Sequence, residues 1–232
     1  MILKVHQGDK IFVSGGSGGI GKAICRQLTE HDLVPIIGYH QNRGEAEQLA
    51  HELRGSAVPV NFANISGSSQ TTPPLDWSGA DLGGIILAAS PPPQIAPFRK
   101  ITIDEARLQY EVNVVGHLRL CQHLIDHVMK PNRRGVIVGI LSEAMGDEKQ
   151  KAAQHMGAYI VAKYGLLGLL RVLDAEYSWL RTETISPGYT ETKMLDAFEP
   201  RFLEMMRAKQ SNLRFDSPED IARRIVNTLI AL

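Results

Sequence analysis

The segment Ser14-Gly15-Gly16-Ser17-Gly18-Gly19-Ile20-Gly21, called here the glycine turn, decides the fold of this chain. It follows a short apolar run, Lys10–Ser14, and leads into Gly19–His31, where apolar residues recur with helical spacing. Glycines allow a sharp turn between a strand and a helix, and they let the backbone approach a pyrophosphate at the helix N-terminus. A glycine string alone is weak evidence, but this strand-turn-helix context predicts dinucleotide binding.

Short apolar runs and helical stretches alternate along the rest of the chain. The pattern predicts strands at Leu33–Gly38, Ala57–Asn61, Gly83–Ala89, Gly135–Leu141 and Thr182–Ser186, and helices at Gly44–Leu53, from Thr102 to about Met129, at Ala158–Leu180 and after the capping residue Ser217. Pro35 argues against full pairing of the second strand, and Ser66–Gly79 is typical of an irregular connection. We therefore predict one α/β domain over 1–232, a doubly wound parallel sheet of the Rossmann type.

The bulk composition limits the partners. Lys+Arg and Asp+Glu are both 25, so the formal net charge is zero and gives no attraction to nucleic acid or to an anionic membrane. Cys25 and Cys121 lie on apolar helical faces and predict buried thiols, with neither a metal site nor a disulfide. We see neither a signal peptide nor an apolar run of membrane-spanning length, so we expect a cytoplasmic protein.

The end of the second strand bears on the choice of cofactor. An acidic residue there would bind the ribose 2′-hydroxyl of NAD, but the sequence is Gly38-Tyr39-His40-Gln41-Asn42-Arg43. His40 and Arg43 could instead contact a 2′-phosphate, because a guanidinium suits that planar, multi-oxygen group. The alternative is that Arg43 is a solvated charge at a helix start. We favour NADP(H) over NAD(H), with Tyr39 also at this site.

A tyrosine and a lysine occupy positions i and i+4 of a predicted helix, Tyr159 and Lys163, and therefore share one face. Alone, such a pair is more often a surface tyrosine over an extended lysine. The accompanying residues change this: Asn113 lies in the preceding long helix, Ser142 follows the fifth strand, and Pro187-Gly188-x-x-x-Thr192 follows the sixth.

With these residues in this order, the chain resembles the short-chain dehydrogenase/reductase family, of the ketoreductase kind, from about Lys10 to Thr192. The turn Gly15-x-x-x-Gly19-x-Gly21 matches that family's glycine motif, although Gly16-x-Gly18-x-x-Gly21 also fits the general dinucleotide fingerprint. The resemblance implies an NAD(P)-dependent oxidoreductase. The cofactor contacts it implies include Gly15, Ser17, Gly18, Gly19, Ile20, Gly21, Ala89 and Ser90.

The resemblance also implies roles for the polar residues. Tyr159 is expected to be the general acid in reduction and the base in oxidation, with its pKa lowered by the Lys163 ammonium. Lys163 would also bind the nicotinamide ribose, Ser142 would orient the substrate oxygen, and Asn113 would hold a water that relays protons. Residues bordering the nicotinamide would be Pro187, Gly188 and Thr192.

Several segments depart from the family pattern. The family's Asn-Asn-Ala-Gly is Leu87-Ala88-Ala89-Ser90 here, and Asn64 stands where an acidic residue is expected near the adenine. Glu143–Met156 is longer than typical, so we expect an additional polar turn over the site. We expect no counterpart of the family's glycine-rich seventh strand, which often pairs subunits into tetramers. We therefore expect a homodimer built on the two long helices, with a tetramer or a hetero-oligomer as alternatives.

The segment 189–215 resembles the family's substrate lid, although it could equally be a helix packed on the body. It contains Met194, Leu195, Phe198, Phe202, Leu203, Met205 and Met206, which would suit a partly apolar carbonyl substrate, such as a 3-oxoacyl chain on a carrier protein. Two other functions stay open: a reductase or dehydrogenase of a sugar or cyclic polyol, and a non-catalytic dinucleotide-binding partner subunit.

Overall fold

The sheet has six parallel strands in the order β3-β2-β1-β4-β5-β6. The computed structural model describes residues 5–62, 82–209 and 214–231. The strands are β1 Lys10–Ser14, β2 Val34–Tyr39, β3 Ser56–Pro59, β4 Leu82–Leu87, β5 Gly135–Ile140 and β6 Leu180–Ile185. This order confirms the doubly wound, Rossmann-type prediction, and β6 forms one edge with no seventh strand beside it in the described part of the chain.

Helices cover both faces of the sheet. They are α1 Gly19–Glu30, α2 Arg43–Glu52, α3 over 103–132, α4 Gly157–Glu176, α5 Pro200–Arg207 and α6 Pro218–Ile230. Consecutive residues of β1 serve the two cores, because side chains alternate across a strand. Phe12 packs in the core under α3 and α4, whereas Ile11 and Val13 pack in the core under α1, α2 and α6.

Two predicted boundaries at β6 were wrong for one reason. The helix expected to run to Leu180 ends at Glu176, and the strand expected from Thr182 begins at Leu180. Leu180 pairs with Gly135 of β5 and is buried, so the sheet takes these residues away from the helix. Periodicity does not separate a buried helical leucine from a buried strand leucine.

Pro35 pairs within β2 in spite of its missing N–H. The neighbouring Val34 N–H donates to Asp9 on the β1 side, so the next N–H position points toward β3. The ladder with β3 begins only at Ile36, which pairs with Ser56. A proline is therefore tolerated at this position, where no ladder hydrogen bond is lost.

The strand order reverses between β1 and β4, since the chain builds outward to β3 and then returns to the other side of β1. Parallel sheets bind ligands in the crevice at the carboxyl ends of such strands. This topology places the glycine turn beside 88–90, the residues that follow β4. The expected irregular segment Ser66–Gly79 lies outside the described residues. Among the described helices, none has the length and apolarity needed to cross a membrane.

Candidate active site

The glycine turn approaches neighbouring backbone too closely for side chains. Gly15 has a φ of +68°, and a Cβ there would lie 2.9 Å from Ala89 Cα. A Cβ on Gly21 would collide with the Gly15 carbonyl oxygen, because the first turn of α1 lies close to this backbone atom. The Gly16 N–H donates to the Gly38 carbonyl at 2.8 Å, so the turn is also fixed to the end of β2.

A cavity of about 640 Å³ opens beside this turn. Its lining includes these residues predicted to bind cofactor: Gly15, Ser17, Gly18, Gly19, Ile20, Gly21, Tyr39, His40, Ala89, Ser90 and Thr192. The N-cap of α1 is Gly18, so no side chain caps the first N–H groups of this helix, and its first turn has no acidic residue. The N-terminal end of α1 therefore suits an anion such as a pyrophosphate, and these residues fit a dinucleotide.

Several other lining residues were not among the predicted cofactor contacts. They are Gln41, Asn42, Val60, Phe62, Ala88, Pro91, Pro92, Leu108, Val112, Lys193 and Met194. Val60 and Phe62 follow β3, so the rule that ligands bind at carboxyl ends of strands could have found them. Leu108 and Val112 belong to α3 and reach the cavity only through tertiary packing, for which the sequence carries no local signal.

Some predicted cofactor residues do not line this cavity. Arg43 is the first residue of α2, and its exposed guanidinium pairs with Glu47 at 2.7 Å. Lys163, Pro187 and Gly188 are likewise absent from the lining of the cavity as it is described. Asn64 lies outside the described residues. The roles of these residues stay predictions.

Ser142, Tyr159 and Lys163 form one cluster at the carboxyl end of β5. The Ser142 side chain is near enough to the Tyr159 hydroxyl to lower its pKa by hydrogen bonding, and the Lys163 Nζ lies 5.5 Å from the centroid of the Tyr159 ring. Lys163 is 2% exposed and donates to the Ile140 carbonyl at 2.8 Å. The i, i+4 spacing on α4 thus brings the phenol and the amine together in the interior rather than on the surface.

The electrostatics of this pair differ from expectation. Burial raises the pKa of Tyr159, and the Ser142 hydrogen bond offsets this only in part. Burial also lowers the pKa of Lys163 to about 7. The expected acidification of the phenol by the ammonium is therefore outweighed, because both groups are desolvated and Lys163 is itself only partly charged near neutrality.

Asn113 lies in a π-helical stretch of α3, Glu111–Gly116, and is fully buried. Its Nδ2 donates to the backbone carbonyl of Gln109 at 3.0 Å and to the Gln109 Oε1 at 3.1 Å. Its Oδ1 has no hydrogen-bond partner among the described residues. A buried carbonyl oxygen needs a donor, so this position suits the water that the resemblance implies.

The loops after β5 and β6 are joined beside this cluster. The Glu143 N–H donates to the Pro187 carbonyl at 2.9 Å, and the Ser142 Oγ accepts from the Ala144 N–H at 3.2 Å. A Cβ on Gly188 would lie 2.7 Å from a Glu143 carboxylate oxygen. Pro187 and Gly188 therefore contact Glu143, the residue that follows Ser142.

The segment Glu143–Met156, expected to be polar, is polar only on its outer side. Asp147 accepts from the Lys149 and Gln150 N–H groups in an exposed turn. On the inner side, residues of this segment and of 189–215 pack against the tyrosine. The small cluster around Tyr159 contains Met156, Ile160, Ala144, Ala153 and Phe198. The wall beside the phenol is therefore apolar.

Residues 189–215 build an aromatic cluster of their own. Tyr189 stacks on Phe215 with centroids 5.1 Å apart and meets Phe198 edge-on at 5.8 Å. Phe198 stacks on Phe202 at 5.6 Å. Much of the apolar stripe thus packs within the segment, while Met194 lines the cavity and Phe198 reaches the Tyr159 cluster.

Comparison with known proteins agrees with this geometry. The family model described as "short chain dehydrogenase" matches residues 9–201. The chain belongs to the short-chain dehydrogenase family. It is an oxidoreductase that acts on a CH–OH or C=O carbon, and the family binds NAD(P). The expectation that this chain is a dehydrogenase or reductase is thereby confirmed.

Relatives of this short-chain dehydrogenase include proteins named for a thioester substrate and for a cyclic alcohol. An acetoacetyl-CoA reductase of Cupriavidus necator is 26% identical over 91% of this chain and 86% of the relative. A cis-4-hydroxycyclohexanecarboxylate dehydrogenase of Sinomonas cyclohexanicum is 24% identical over 92% of this chain and 86% of that protein. The crystal structure of a 3-oxoacyl-[acyl-carrier protein] reductase from Brucella melitensis superposes with a TM-score of 0.81 at 22% identity, covering 97% of this chain and 86% of that one. That last likeness shows the fold.

Proposed function

We propose that this short-chain dehydrogenase is an NADP(H)-dependent reductase that converts a carbonyl to an alcohol. The observation that carries the proposal is the buried cluster in which the Ser142 side chain adjoins the Tyr159 hydroxyl and Lys163 lies beside the tyrosine ring. The cluster adjoins a loop, Pro187-Gly188, of the kind that borders a nicotinamide in this family.

The residues divide the chemistry among them. The bound dinucleotide supplies the hydride. Ser142 holds the substrate oxygen and stabilises the charge that develops there, and Tyr159 donates the proton to that oxygen. Lys163, with a pKa near 7, returns a proton to the Tyr159 oxygen after Tyr159 has donated its own. A water at the Asn113 Oδ1 connects Lys163 to solvent. Burial strengthens each of these interactions because little water competes for them.

The end of β2 supports NADP(H) over NAD(H). The cavity lining at this end is Tyr39, His40, Gln41 and Asn42, without a carboxylate to hold a ribose 2′-hydroxyl. The carboxylates that follow on α2 are engaged, since Glu45 binds Lys22 and Glu47 binds Arg43. The Arg43 guanidinium would leave the Glu47 carboxylate and bind the 2′-phosphate of NADP(H). His40, which lines the cavity, would contact the same phosphate.

Thermal stabilisation by each dinucleotide tests the cofactor. NADP should raise the melting temperature more than NAD, because a ligand that binds only the folded state stabilises it in proportion to its affinity. Arg43→Ala should lower the NADP shift, whereas Arg26→Ala, which breaks a comparable exposed pair with Glu52, should leave it unchanged. Equal or larger stabilisation of the wild type by NAD would overturn the NADP proposal.

The substrate is proposed to be partly apolar, with a 3-oxoacyl chain on a carrier protein as the first candidate. The apolar wall of Met156, Ala153 and Phe198 beside Tyr159 supports this, as does the similarity to an acetoacetyl-CoA reductase. A cyclic alcohol or sugar is the second candidate, favoured by the similarity to a cyclohexanecarboxylate dehydrogenase. A panel of acyl thioesters, cyclic ketones and sugars, followed by NADPH absorbance, would distinguish them.

We further propose a cytoplasmic homodimer. Two neighbouring helices, α3 and α4, expose large apolar side chains: Tyr110, Leu118, Val161, Tyr164 and Val172. A second copy would cover these side chains by helix packing, and Gly168, whose surroundings are open, would let a partner helix approach closely. A non-catalytic dinucleotide-binding subunit is the alternative, and it would lack turnover with every substrate of the panel.

A further inference from the structure

A buried hydrogen-bond network connects the cofactor cavity to the helix turn that carries Asn113. The Ser14 Oγ accepts hydrogen bonds from the Ala88 N–H at 2.9 Å and the Ala89 N–H at 3.1 Å. Ala88 and Ala89 line the cavity, directly opposite Gly15. The Ser14 hydroxyl therefore fixes the part of the cavity wall that follows β4.

His117 completes this network from α3. Its Nε2 lies 2.9 Å from the Ser14 Oγ, and its Nδ1 lies 3.0 Å from the Asn113 carbonyl oxygen. Ser14, Asn113 and His117 are all fully buried. The His117 ring also meets Phe62, another lining residue, edge-on at a centroid distance of 5.1 Å.

The inventory of donors and acceptors fixes the direction of each bond. A serine hydroxyl has one proton and two lone pairs, and both lone pairs of Ser14 accept backbone N–H groups. Its proton must then go to Nε2, so Nε2 is unprotonated and Nδ1 carries the hydrogen that is donated to the Asn113 carbonyl. Burial lowers the pKa of His117 to about 3, which keeps this neutral form throughout the working pH range.

We infer that His117 is a positioning residue for both halves of the site. Through Ser14 it holds the Ala88–Ala89 backbone in the shape that the cofactor meets, and through the Asn113 carbonyl it fixes the π-helical turn from which the Asn113 side chain projects. This inference rests on the proposed function, because it assigns His117 to cofactor binding and to the proton relay of the same reaction.

Substitutions of His117 separate the two halves. Glutamine places an acceptor near the Nε2 position and retains the Ser14 bond, while asparagine places a donor near Nδ1 and retains the Asn113 bond. Phenylalanine removes both and keeps a ring beside Phe62. Cys121→Ala is the matched control, because Cys121 is also buried on α3 and takes part in none of the hydrogen bonds described for this network.

We expect His117→Phe to raise the dissociation constant of NADP(H) about tenfold and to lower kcat about tenfold, the effect of about one lost hydrogen bond on each side. His117→Gln should restore most of the affinity but not kcat, and His117→Asn should restore kcat but not affinity. Cys121→Ala should change neither quantity by more than about twofold.

Two results would overturn the inference. One is a His117→Phe enzyme with wild-type affinity and kcat; the other is a set of three variants whose losses are the same and no larger than that of Cys121→Ala. Should His117→Phe not fold, the crossed pattern of the glutamine and asparagine variants decides. Hydrogen exchange at the Ala88 and Ala89 amides of the cofactor-free protein tests the network without any ligand. We expect this exchange to be faster in His117→Phe and His117→Asn than in the wild type. If the wild type bound no dinucleotide, the proposed function would be refuted, but this measurement would still test the network.

Discussion

At the scale of single residues, the site combines groups whose burial costs stability. Lys163 is 2% exposed, and its one hydrogen bond to protein in the described chain is to the Ile140 carbonyl. Burial lowers the pKa of Lys163 to about 7 from an ordinary value of 10.5. Burial of this group therefore costs stability below and near neutral pH, as expected if Lys163 has the proposed role in the reaction.

Lys163→Met should accordingly stabilise the protein while abolishing turnover. Below about pH 7 the ammonium is charged in both states, so the wild type bears the whole cost of burial. Between pH 7 and 10.5 only the unfolded chain holds the proton, and the wild-type free energy of unfolding rises with pH. We expect a gain of about 2 kcal/mol at pH 6, after allowing for the lost bond to Ile140, that disappears near pH 10.

Chemical denaturation of both proteins at pH 6, 8 and 10 measures this. Lys130→Met is the control, because Lys130 is exposed and pairs only with Asp126 on the surface in the described chain. Its free energy of unfolding should differ little from that of the wild type at any of these pH values. A Lys163→Met protein that is less stable than the wild type at pH 6, or whose gain grows with pH, would contradict the assignment of a buried, destabilised ammonium.

Candidate site residues could be selected from order and spacing, but their environments could not be predicted. Tyr159, Ser142 and Lys163 were selected by sequence pattern, and the fold brings them together. The raised pKa of Tyr159 and the Arg43–Glu47 pair depend on burial and on rotamers, which no spacing encodes. His117 gave no signal, since a histidine four residues after Asn113 is unremarkable until Ser14 is known to face it.

At the scale of elements, capping signals were read partly correctly. The Thr102-x-x-Glu105 sequence has the form of a capping box, and the Thr102 side chain accepts from the Glu105 N–H. The Glu105 carboxylate, however, accepts from the Gln94 N–H and the Gln109 side chain, so only half of a capping box is shown. Ser217 and Asp220 instead form the complete box that starts α6. The choice between these depends on what else each carboxylate can reach.

The glycine turn yields a prediction about stability. In Gly21→Ala the new Cβ would meet the Gly15 carbonyl oxygen, a backbone atom that cannot move aside, so we expect a loss of about 3 kcal/mol or more. In Gly44→Ala the Cβ has open space on α2, and higher helix propensity should give a gain of about 0.5 kcal/mol. Thermal or urea unfolding of the two variants measures both; equal effects would show that the turn is not tightly packed.

At the scale of the whole molecule, alternation of strands and helices predicted a sheet with a fixed topological switch point. That point is where the cavity lies, between the ends of β1 and β4. The prediction succeeded because parallel strands buried on both faces have few alternatives. The cavity walls contributed by α3, through Leu108 and Val112, could not be predicted because helix-to-sheet packing leaves no local trace.

The exposed apolar side chains of α4, which are Val161, Tyr164 and Val172, give a prediction about assembly. Val172 is 52% exposed and lies three turns after Val161, on the same side of the helix. Val172→Asp should shift the protein toward a monomer in sedimentation, because burying a carboxylate against a second copy is costly. Asn227→Asp, on an exposed face of α6, should leave the dimer intact. A wild type that sediments as a monomer would refute the dimer.

In the proposed reaction Tyr159 is the proton donor, and Tyr159→Phe tests this role most directly. We expect the variant to bind NADP(H) with wild-type affinity, measured by quenching of protein fluorescence, and to lose at least about a thousandfold in kcat with any carbonyl that the wild type reduces. Turnover by Tyr159→Phe at the wild-type rate, with binding unchanged, would contradict the assignment of the phenol to the chemical step.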